Sequence, residues 1–336
     1  MANKTDELVD FGYQEWKKHL DVMITVKPGW VNVLFIVVMV VTFVLGVCGN
    51  LLTCVVIYCD RRMHTAINYY LFNLAVVDLL VAFSGILLDL DGFINYPFDF
   101  NGLGELVCKV HHFFVATLWN TDVLTITVLA IERYIAIFHP MLLNKKPAQR
   151  RVAKNICLIW FIAMLETLPE TWTIELIRSP PKFSICCFVP NRFTKLISGI
   201  LCLVTFIIPL GIMVFVYTMV AFKVKSAQSS YSRAEIFNHR NNSSKVNKLT
   251  VAMTVSFVVC WLPFFAIRIV FAVELYRYWA IQYWDLMMLL TSFSSWFSIV
   301  LNPLLFSLIS TKFRRALKNL WNTKIKRHRA SRSLIV

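Results

Sequence analysis

The sequence predicts an all-α membrane protein, a bundle of seven transmembrane helices followed by a short amphipathic helix on the cytoplasmic side. Three observations support this prediction: 58% of the 336 residues are hydrophobic, the mean hydropathy is +0.63, and the chain contains seven separate apolar stretches. A single soluble core cannot bury so large an apolar share. Each stretch has roughly 20 residues or more, enough for an α-helix to cross about 30 Å of hydrocarbon.

The stretches divide the chain into a polar tail at residues 1–30, a transmembrane domain at residues 31–309, and an amphipathic helix with a basic tail at residues 310–336. The predicted spans are 31–58, 67–94, 106–138, 152–172, 196–222, 248–272 and 283–309. The segment 223–247 is rich in Ser, Asn and basic residues and lacks apolar periodicity, so we expect a mobile loop there.

Positive charge orients the bundle. Most of the 34 Lys and Arg residues lie in the first, third and fifth loops and after the last span. The only acids on this side are Asp60, Glu132 and Glu235. An excess of Lys and Arg marks the cytoplasmic side, so we expect a multi-pass plasma-membrane protein with its N-terminus outside. This distribution favours membrane lipids, rather than nucleic acid, as the partner of the net charge of +15.

Two terminal features fit this orientation. Asn3-Lys4-Thr5 is a sequon on the expected outer side, so glycosylation of Asn3 is predicted. After the last span, four apolar residues recur at helical spacing among basic ones, as in a helix that lies on an anionic inner leaflet. These residues are Phe313, Leu317, Leu320 and Trp321.

The nine cysteines form no C-x-x-C pair and no metal-ligand pattern. Cys108 opens the third span on the oxidising side, and Cys186 and Cys187 lie in the long loop between the fourth and fifth spans. We expect a disulfide from Cys108 to Cys187 or to Cys186, which would hold this loop as a lid over the extracellular mouth. The sequence does not distinguish between the two partners.

Each predicted span carries a motif, and the ordered set resembles the rhodopsin-like G-protein-coupled receptors over nearly the whole chain. The motifs are Gly49-Asn50, Leu74-Ala75-x-x-Asp78, Glu132-Arg133-Tyr134, Trp160, Pro209 with Tyr217, Phe257-x-x-Cys260-Trp261-Leu262-Pro263, and Asn302-Pro303-x-x-Phe306. Any one motif is weak evidence, whereas the ordered set is specific. The resemblance implies a receptor with a heterotrimeric G protein as its inner partner, joined by arrestin and receptor kinases.

Two blocks, Met63–Ala75 and Val123–Pro140, resemble more narrowly the neuromedin U, pyrokinin and capa neuropeptide receptors. This resemblance implies an extracellular amidated neuropeptide as the ligand. Val115 lies 18 residues before Arg133 and therefore on the same interior face of the third span. An acid at this position would bind a monoamine, so Val115 argues against an aminergic receptor.

The ligand site implied by the resemblance comprises Asp89, Trp119, Phe264, Phe265, Arg268 and Ser292. Asp89 lies 11 residues after Asp78, hence on the same interior face, and matches an acidic position that would pair with a ligand arginine. Arg268 matches an arginine that would hold a ligand carbonyl or terminal amide. Ala116 departs from the subfamily, which tends to have a second acid there.

The resemblance also implies an ion pocket that binds sodium and favours the inactive state. Its residues are Asn50, Asp78, Asp122, Ser298 and Asn302. Asp122 lies 11 residues before Arg133 and so faces the interior, where the family usually has a small hydroxyl residue. Two carboxylates in one cavity repel, so we expect a shared proton unless a cation binds. The alternative is a neutral Asp122 that is hydrogen-bonded to a neighbouring helix.

The activation switch comprises Pro209, Tyr217, Phe257, Trp261, Pro263 and Phe306, again by resemblance. Pro209 and Pro263 each remove a helical hydrogen bond and permit bending, and Trp261 lies beside such a bend. Phe306 stands where the family usually has Tyr and cannot make the water-mediated link to Tyr217, so we expect low basal signalling.

Glu132, Arg133 and Tyr134 are the predicted G-protein coupling residues. We expect Glu132 to pair with Arg133 at rest, and movement of the helices to free the guanidinium for a partner's carbonyl groups.

Two alternatives stay open: a receptor for another non-aminergic ligand, and a membrane transporter, which would also place carboxylates mid-membrane. Against a transporter, the chain shows no internal repeat and no second pair of interrupted helices. No Ser-His, metal-ligand or phosphate-loop pattern indicates an enzyme, and no cofactor is expected besides sodium. The sequence does not identify the peptide, the G-protein class or the oligomeric state.

Overall fold

The structure, a computed structural model, describes residues 29–86, 103–143, 147–179, 183–189, 192–228, 233–273 and 280–333. The described residues form eight long helices, which we label α1 to α8. They are α1 Gly29–Cys59, α2 Ala66–Val81 with a π-helical turn at Ala82–Ile86, α3 Gly104–Phe138, α4 Ala148–Thr171, α5 Arg192–Cys202 with a π-helical turn at Leu203–Ile207 and a continuation at Ile208–Gln228, α6 Arg233–Ala272, α7 Ala280–Ile309, and α8 Thr311–Ser333. Short helical turns lie at Arg61–Met63 and Pro140–Leu143.

The predicted order of membrane spans is confirmed. Apolar segments adopt helices in a membrane because the backbone must satisfy its own hydrogen bonds there. Within the described residues, six helices are long and apolar enough to cross, and Phe293–Ile309 of α7 qualifies as a seventh together with Thr311–Asn322, from which it is bent by 89°. Many outward-facing side chains, such as Val37, Leu165 and Val259, are apolar and exposed, as expected for helices that face lipid.

Helix α3 lies at the centre of the bundle and contacts α2, α4, α5 and α6, while α1 packs against α2 and α7. Glycines permit the close approach of α1 to α7. A Cβ atom on Gly46 would lie 2.9 Å from Cγ2 of Ile299, and one on Gly49 would lie 2.8 Å from Cγ of Pro303. Small residues at helix contacts are typical of membrane bundles.

The loop predicted at 223–247 is wrong for the described part of that segment. Helix α5 continues to Gln228 and α6 begins at Arg233. The segment contains neither Gly nor Pro, so no strong helix breaker stops the helices that emerge from the membrane. Its polar composition misled the prediction, because composition alone does not end a helix.

The predicted amphipathic helix is present as α8, but its apolar face packs partly on protein. Phe313 is buried and lies 4.6 Å from Phe306 between ring centroids. Leu317 and Leu320 also pack against the core, whereas Trp321 is exposed. We expected all four residues to lie on lipid, and the structure leaves only Trp321 in such a position.

Candidate functional site

An antiparallel hairpin precedes α5, formed by strands β1 Ile174–Ser179 and β2 Phe183–Phe188. Cys186 of β2 forms a disulfide with Cys108 at the start of α3. The pairing with Cys187, one of our two alternatives, is therefore wrong. Neighbouring residues of a strand point to opposite faces, and Cys186 is the one whose side chain reaches α3. The disulfide anchors the hairpin to the start of α3.

Beneath the outer helix ends lies a cluster of aromatic rings, which we call the aromatic cluster: Trp119, Trp261, Phe264 and Phe265. Trp119 makes edge contacts with Trp261 at 5.3 Å and with Phe264 at 5.6 Å between ring centroids. Phe265 stacks on Phe206 of α5 at 4.3 Å. The predicted ligand residues Trp119, Phe264 and Phe265 are thus brought together around the predicted switch residue Trp261.

Arg268 lies against this cluster, with its guanidinium carbon 4.7 Å from the centroid of the Phe264 ring. Its Nη2 donates to Oε1 of Glu170 at the end of α4, and the two side chains form an ion pair. Nε2 of His112 on α3 lies 3.5 Å from the same carboxylate oxygen. We call Glu170 and Arg268 the outer ion pair. Asp89 and the side chain of Ser292 lie outside the described residues, as does Asn3.

Our sequence reasoning did not single out Glu170 among the acids near the outer surface, although its side chain is only 2% exposed. A signal was present in the spacing. Ile159, Ala163, Thr167 and Glu170 recur at intervals of three or four residues and are all buried. This stripe is the inward face of α4, and Glu170 lies on it.

In the predicted ion pocket, Asn302 Nδ2 donates to Asp78 Oδ2 at 3.0 Å, and Asp78 is fully buried. Asp122 of α3 is also buried. The Oδ1 atoms of both carboxylates lack a hydrogen-bond partner among the described residues. Buried carboxylate oxygens of this kind suit a small hard cation, so the donor set fits the predicted sodium ion.

The side chains of two other predicted pocket residues donate hydrogen bonds to backbone carbonyl groups instead. Asn50 Nδ2 donates to the carbonyl groups of Gly46 and Ile299, at 3.0 Å each. Ser298 Oγ donates to the Ser295 carbonyl at 2.7 Å. The bond from Asn50 to Ile299 joins α1 to α7, whereas the bond from Ser298 stays within α7, and neither of these bonds reaches Asp78.

The switch residues extend inward from the aromatic cluster. Phe257 contacts Phe206 at 5.8 Å between ring centroids, and Pro263 lies within α6. Pro209 lies two residues beyond the end of the π-helical turn of α5. The hydroxyl of Tyr217 accepts a hydrogen bond from Thr254 Oγ1 at 3.3 Å, while Phe306 packs on Phe313. Tyr217 and Phe306 therefore have different partners. Phe306 has no hydroxyl through which the two side chains could be linked.

At the inner end, the expected pairing of Glu132 with Arg133 is absent from the described ion pairs. Glu132 instead accepts from Arg151 of α4, through Nε at 3.1 Å and Nη2 at 3.2 Å. It also accepts from the Tyr70 hydroxyl at 3.3 Å, and that hydroxyl accepts from Asn155 Nδ2 at 2.8 Å. We call these four residues, Glu132, Arg151, Tyr70 and Asn155, the inner network.

Arg133 is partly buried beside this network, and its Nε has no hydrogen-bond partner among the described residues. Tyr134 stacks on Phe138 with ring centroids 4.5 Å apart. Glu132 prefers Arg151 because a fork of two parallel hydrogen bonds from another helix has better geometry than a contact between sequence neighbours, whose side chains diverge on a helix.

Comparison with known proteins supports the resemblance found in the motifs. Residues 49–306 match the family described as 7 transmembrane receptor (rhodopsin family). Neuromedin-U receptor 2 of Rattus norvegicus is 30% identical over 289 residues, which cover 82% of this chain and 72% of the relative. Neuromedin-U receptor 1 of Homo sapiens is 30% identical over 303 residues, with 81% and 69% covered. The pyrokinin-1 receptor of Drosophila melanogaster is 27% identical over 336 residues, with 82% and 76% covered.

Proposed function

We propose, since the chain belongs to the rhodopsin family of seven-transmembrane receptors, that it binds an extracellular amidated neuropeptide and activates a heterotrimeric G protein. The chain is a multi-pass membrane receptor and not an enzyme. The proposal adds the ligand class, the G protein and an N-terminus outside the cell. Arrestin, receptor kinases and membrane lipids are proposed as further partners.

The position of Arg268 is the main observation that supports an amidated peptide as the ligand. Its guanidinium lies against the aromatic cluster, beneath helix ends that the disulfide-anchored hairpin joins. A buried guanidinium beside aromatic rings suits a peptide end that combines carbonyl oxygens with an aromatic or aliphatic side chain. Val115 of α3 is buried, and its apolar side chain provides no charge for a monoamine. The names of the relatives, which are neuromedin-U and pyrokinin receptors, point to the same class.

Asp89 completes this proposal as the partner of a ligand cation, on the strength of its sequence position alone. A peptide that carries both a basic side chain and an amide end would engage Asp89 and Arg268 together. On α3, Ala116 stands where related receptors tend to have an acid. The ligand cation would therefore meet Asp89 without a second carboxylate from α3.

Transmission follows from the arrangement of the helices. Peptide binds the active arrangement more tightly than the resting one and so shifts the population toward it. Trp261 of the aromatic cluster lies two residues before Pro263 on α6, so repacking of the cluster can alter the bend of that helix. Outward movement of α6 would open a cleft beside Arg133, whose guanidinium is available to the carbonyl groups of a G protein.

The test is expression in cells that report both calcium and cyclic AMP, followed by challenge with synthetic amidated neuromedin U and pyrokinin peptides. We expect a saturable response that is lost in Asp89→Ala and kept in the neighbouring variant Asp91→Ala. An epitope tag at the N-terminus, detected on intact cells, counts receptors at the surface and tests the proposed orientation. Silence to every peptide, with the tag detected outside, would contradict the ligand class.

A further inference from the structure

The outer ion pair joins two helices through side chains that are almost fully removed from solvent. The Glu170 side chain is 2% exposed and that of Arg268 is 9% exposed. Thr173 fixes the last turn of α4, since its Oγ1 and backbone N–H donate to the Glu170 carbonyl at 2.7 Å and 2.9 Å. Glu170 is therefore placed by its helix end, and Arg268 is held between this carboxylate and the Phe264 ring.

We infer that Glu170 determines the receptor's preference for an uncharged carboxamide over a carboxylate at the end of the ligand that reaches Arg268. This inference rests on the proposed function and deepens it. Glu170 acts through Arg268, as a residue that positions the guanidinium and neutralises its charge.

A buried guanidinium without a counter-charge would bind a carboxylate far better than an amide, because a charge-assisted bond is stronger and the anion would neutralise the site. Arg268 already has a carboxylate in contact. A ligand oxygen that approaches Arg268 also approaches Glu170, so a ligand carboxylate would bring a second negative charge into a site of low dielectric.

An amide end avoids this repulsion. Its oxygen accepts a hydrogen bond from a guanidinium, and its NH₂ group donates to a carboxylate. The outer ion pair presents both a donor and an acceptor to such a group, whereas a carboxylate end can only accept. His112 lies 3.5 Å from the same oxygen of Glu170 and helps to hold the carboxylate in place. Discrimination then comes from repulsion of the wrong group as much as from attraction of the right one.

The experiment compares each active peptide in two forms, with an amide end and with a free carboxylate, on the full-length receptor in cells. The quantity measured is the ratio of the two potencies. In the wild type we expect the amide to be favoured. In Glu170→Gln, which keeps the shape and removes the charge, the ratio should fall by at least about tenfold, because the repulsion between Glu170 and a ligand carboxylate is lost.

The ratio is the informative measure because a variant that only folds less well lowers both potencies together. Glu175→Gln is the matched control: Glu175 is exposed on β1, and its loss should leave the ratio unchanged. Glu170→Asp keeps the charge and should keep the preference for the amide even if both potencies decline.

A second variant moves the carboxylate to another helix. Ala116 is buried one helical turn from His112 on α3, so Ala116→Glu brings an acid to the same side of the pocket. In the Glu170→Gln background it should restore part of the preference for the amide. An unchanged ratio in Glu170→Gln, or a wild type that accepts both forms equally, overturns the inference while peptide responses persist. A wild type that ignores every peptide overturns the proposed function, and the inference with it.

Discussion

Helix α4 carries a charged side chain near each end that forms an ion pair with another helix, and the two ion pairs differ in their partner helix and in their burial. At the outer end, the acid Glu170 meets Arg268 of α6. At the inner end, the base Arg151 meets Glu132 of α3, and Tyr70 of α2 joins them. The outer contact thus includes the helix that is proposed to move, whereas the described inner network consists of residues from α2, α3 and α4.

Burial also differs between the two ends. The Arg151 side chain is 20% exposed, against 9% for Arg268. A pair that is shielded on both sides is sensitive to loss of either partner, while a wetter pair can exchange partners with less loss of free energy. We propose that the outer ion pair serves the ligand and that the inner network keeps Glu132 away from Arg133.

The largest expected effect comes from breaking the outer ion pair. Arg268→Ala leaves Glu170 buried without its guanidinium partner and should lower the free energy of unfolding by about 3 kcal/mol. Thermal unfolding of the purified receptor checks this, with Arg150→Ala, an exposed arginine near the start of α4, as the control. Equal melting temperatures for the two variants would show that the outer ion pair is not a buried contact.

The inner network should respond with a smaller change in stability and a change in signalling. Arg151→Gln removes the fork that holds Glu132, with an expected loss of about 1 kcal/mol because this pair is partly wet. Glu132 is then able to pair with Arg133, so basal G-protein activation should fall. Receptor-stimulated nucleotide exchange without ligand measures this directly, with Arg150→Gln as the matched control. A rise in basal activity would mean that the inner network restrains, rather than exposes, Arg133.

The next prediction concerns the two buried carboxylates of the predicted ion pocket. Asp122→Ser removes one of two repelling carboxylates and supplies the small hydroxyl that the family usually has there. Sodium should then change agonist affinity by a different factor than in the wild type, by about threefold or more if the repulsion amounts to 0.7 kcal/mol. Competition binding with and without sodium chloride, at constant ionic strength, reads this factor. The same response to sodium in both receptors would rule out Asp122 as part of the pocket.

The smallest effect is expected at Phe306. Phe306→Tyr supplies the hydroxyl that could join Tyr217 through water, and the ring keeps its place against Phe313, so basal signalling should rise modestly, by about twofold. Phe306→Leu removes ring area without adding a hydroxyl and serves as the comparison. If Tyr and Phe at this position give equal basal and ligand-driven signals, the missing hydroxyl has no part in activation.

The spans and the place of each motif could be predicted from the sequence because they depend on local properties. Apolar length fixes where a helix crosses the membrane, and helical period fixes that Asp78, Asp122 and Arg133 face inward. The structure buries both aspartates, as the periodicity indicates, and brings together Trp119, Trp261 and Phe264, which the family resemblance had singled out.

The partners of the buried charges could not be predicted in the same way. Glu132 has a cation beside it in sequence, yet it binds Arg151, which is 19 residues away. Arg268 binds Glu170, which is 98 residues away. The partner of a buried charge depends on how the helices pack against one another. Apolar periodicity along the sequence does not specify that packing. The choice between Cys186 and Cys187 stayed open for a related reason, since it depends on which face of the hairpin packs on α3.

The most direct test of the account is the response of surface-expressed receptor to amidated neuromedin U and pyrokinin peptides, compared between the wild type and Arg268→Gln. Calcium, cyclic AMP and surface number are recorded in the same cells. The account predicts a saturable response in the wild type whose potency falls at least about tenfold in Arg268→Gln, after correction for surface number. A response of equal potency in both would contradict the role of Arg268, and no response in the wild type would contradict the neuropeptide assignment itself.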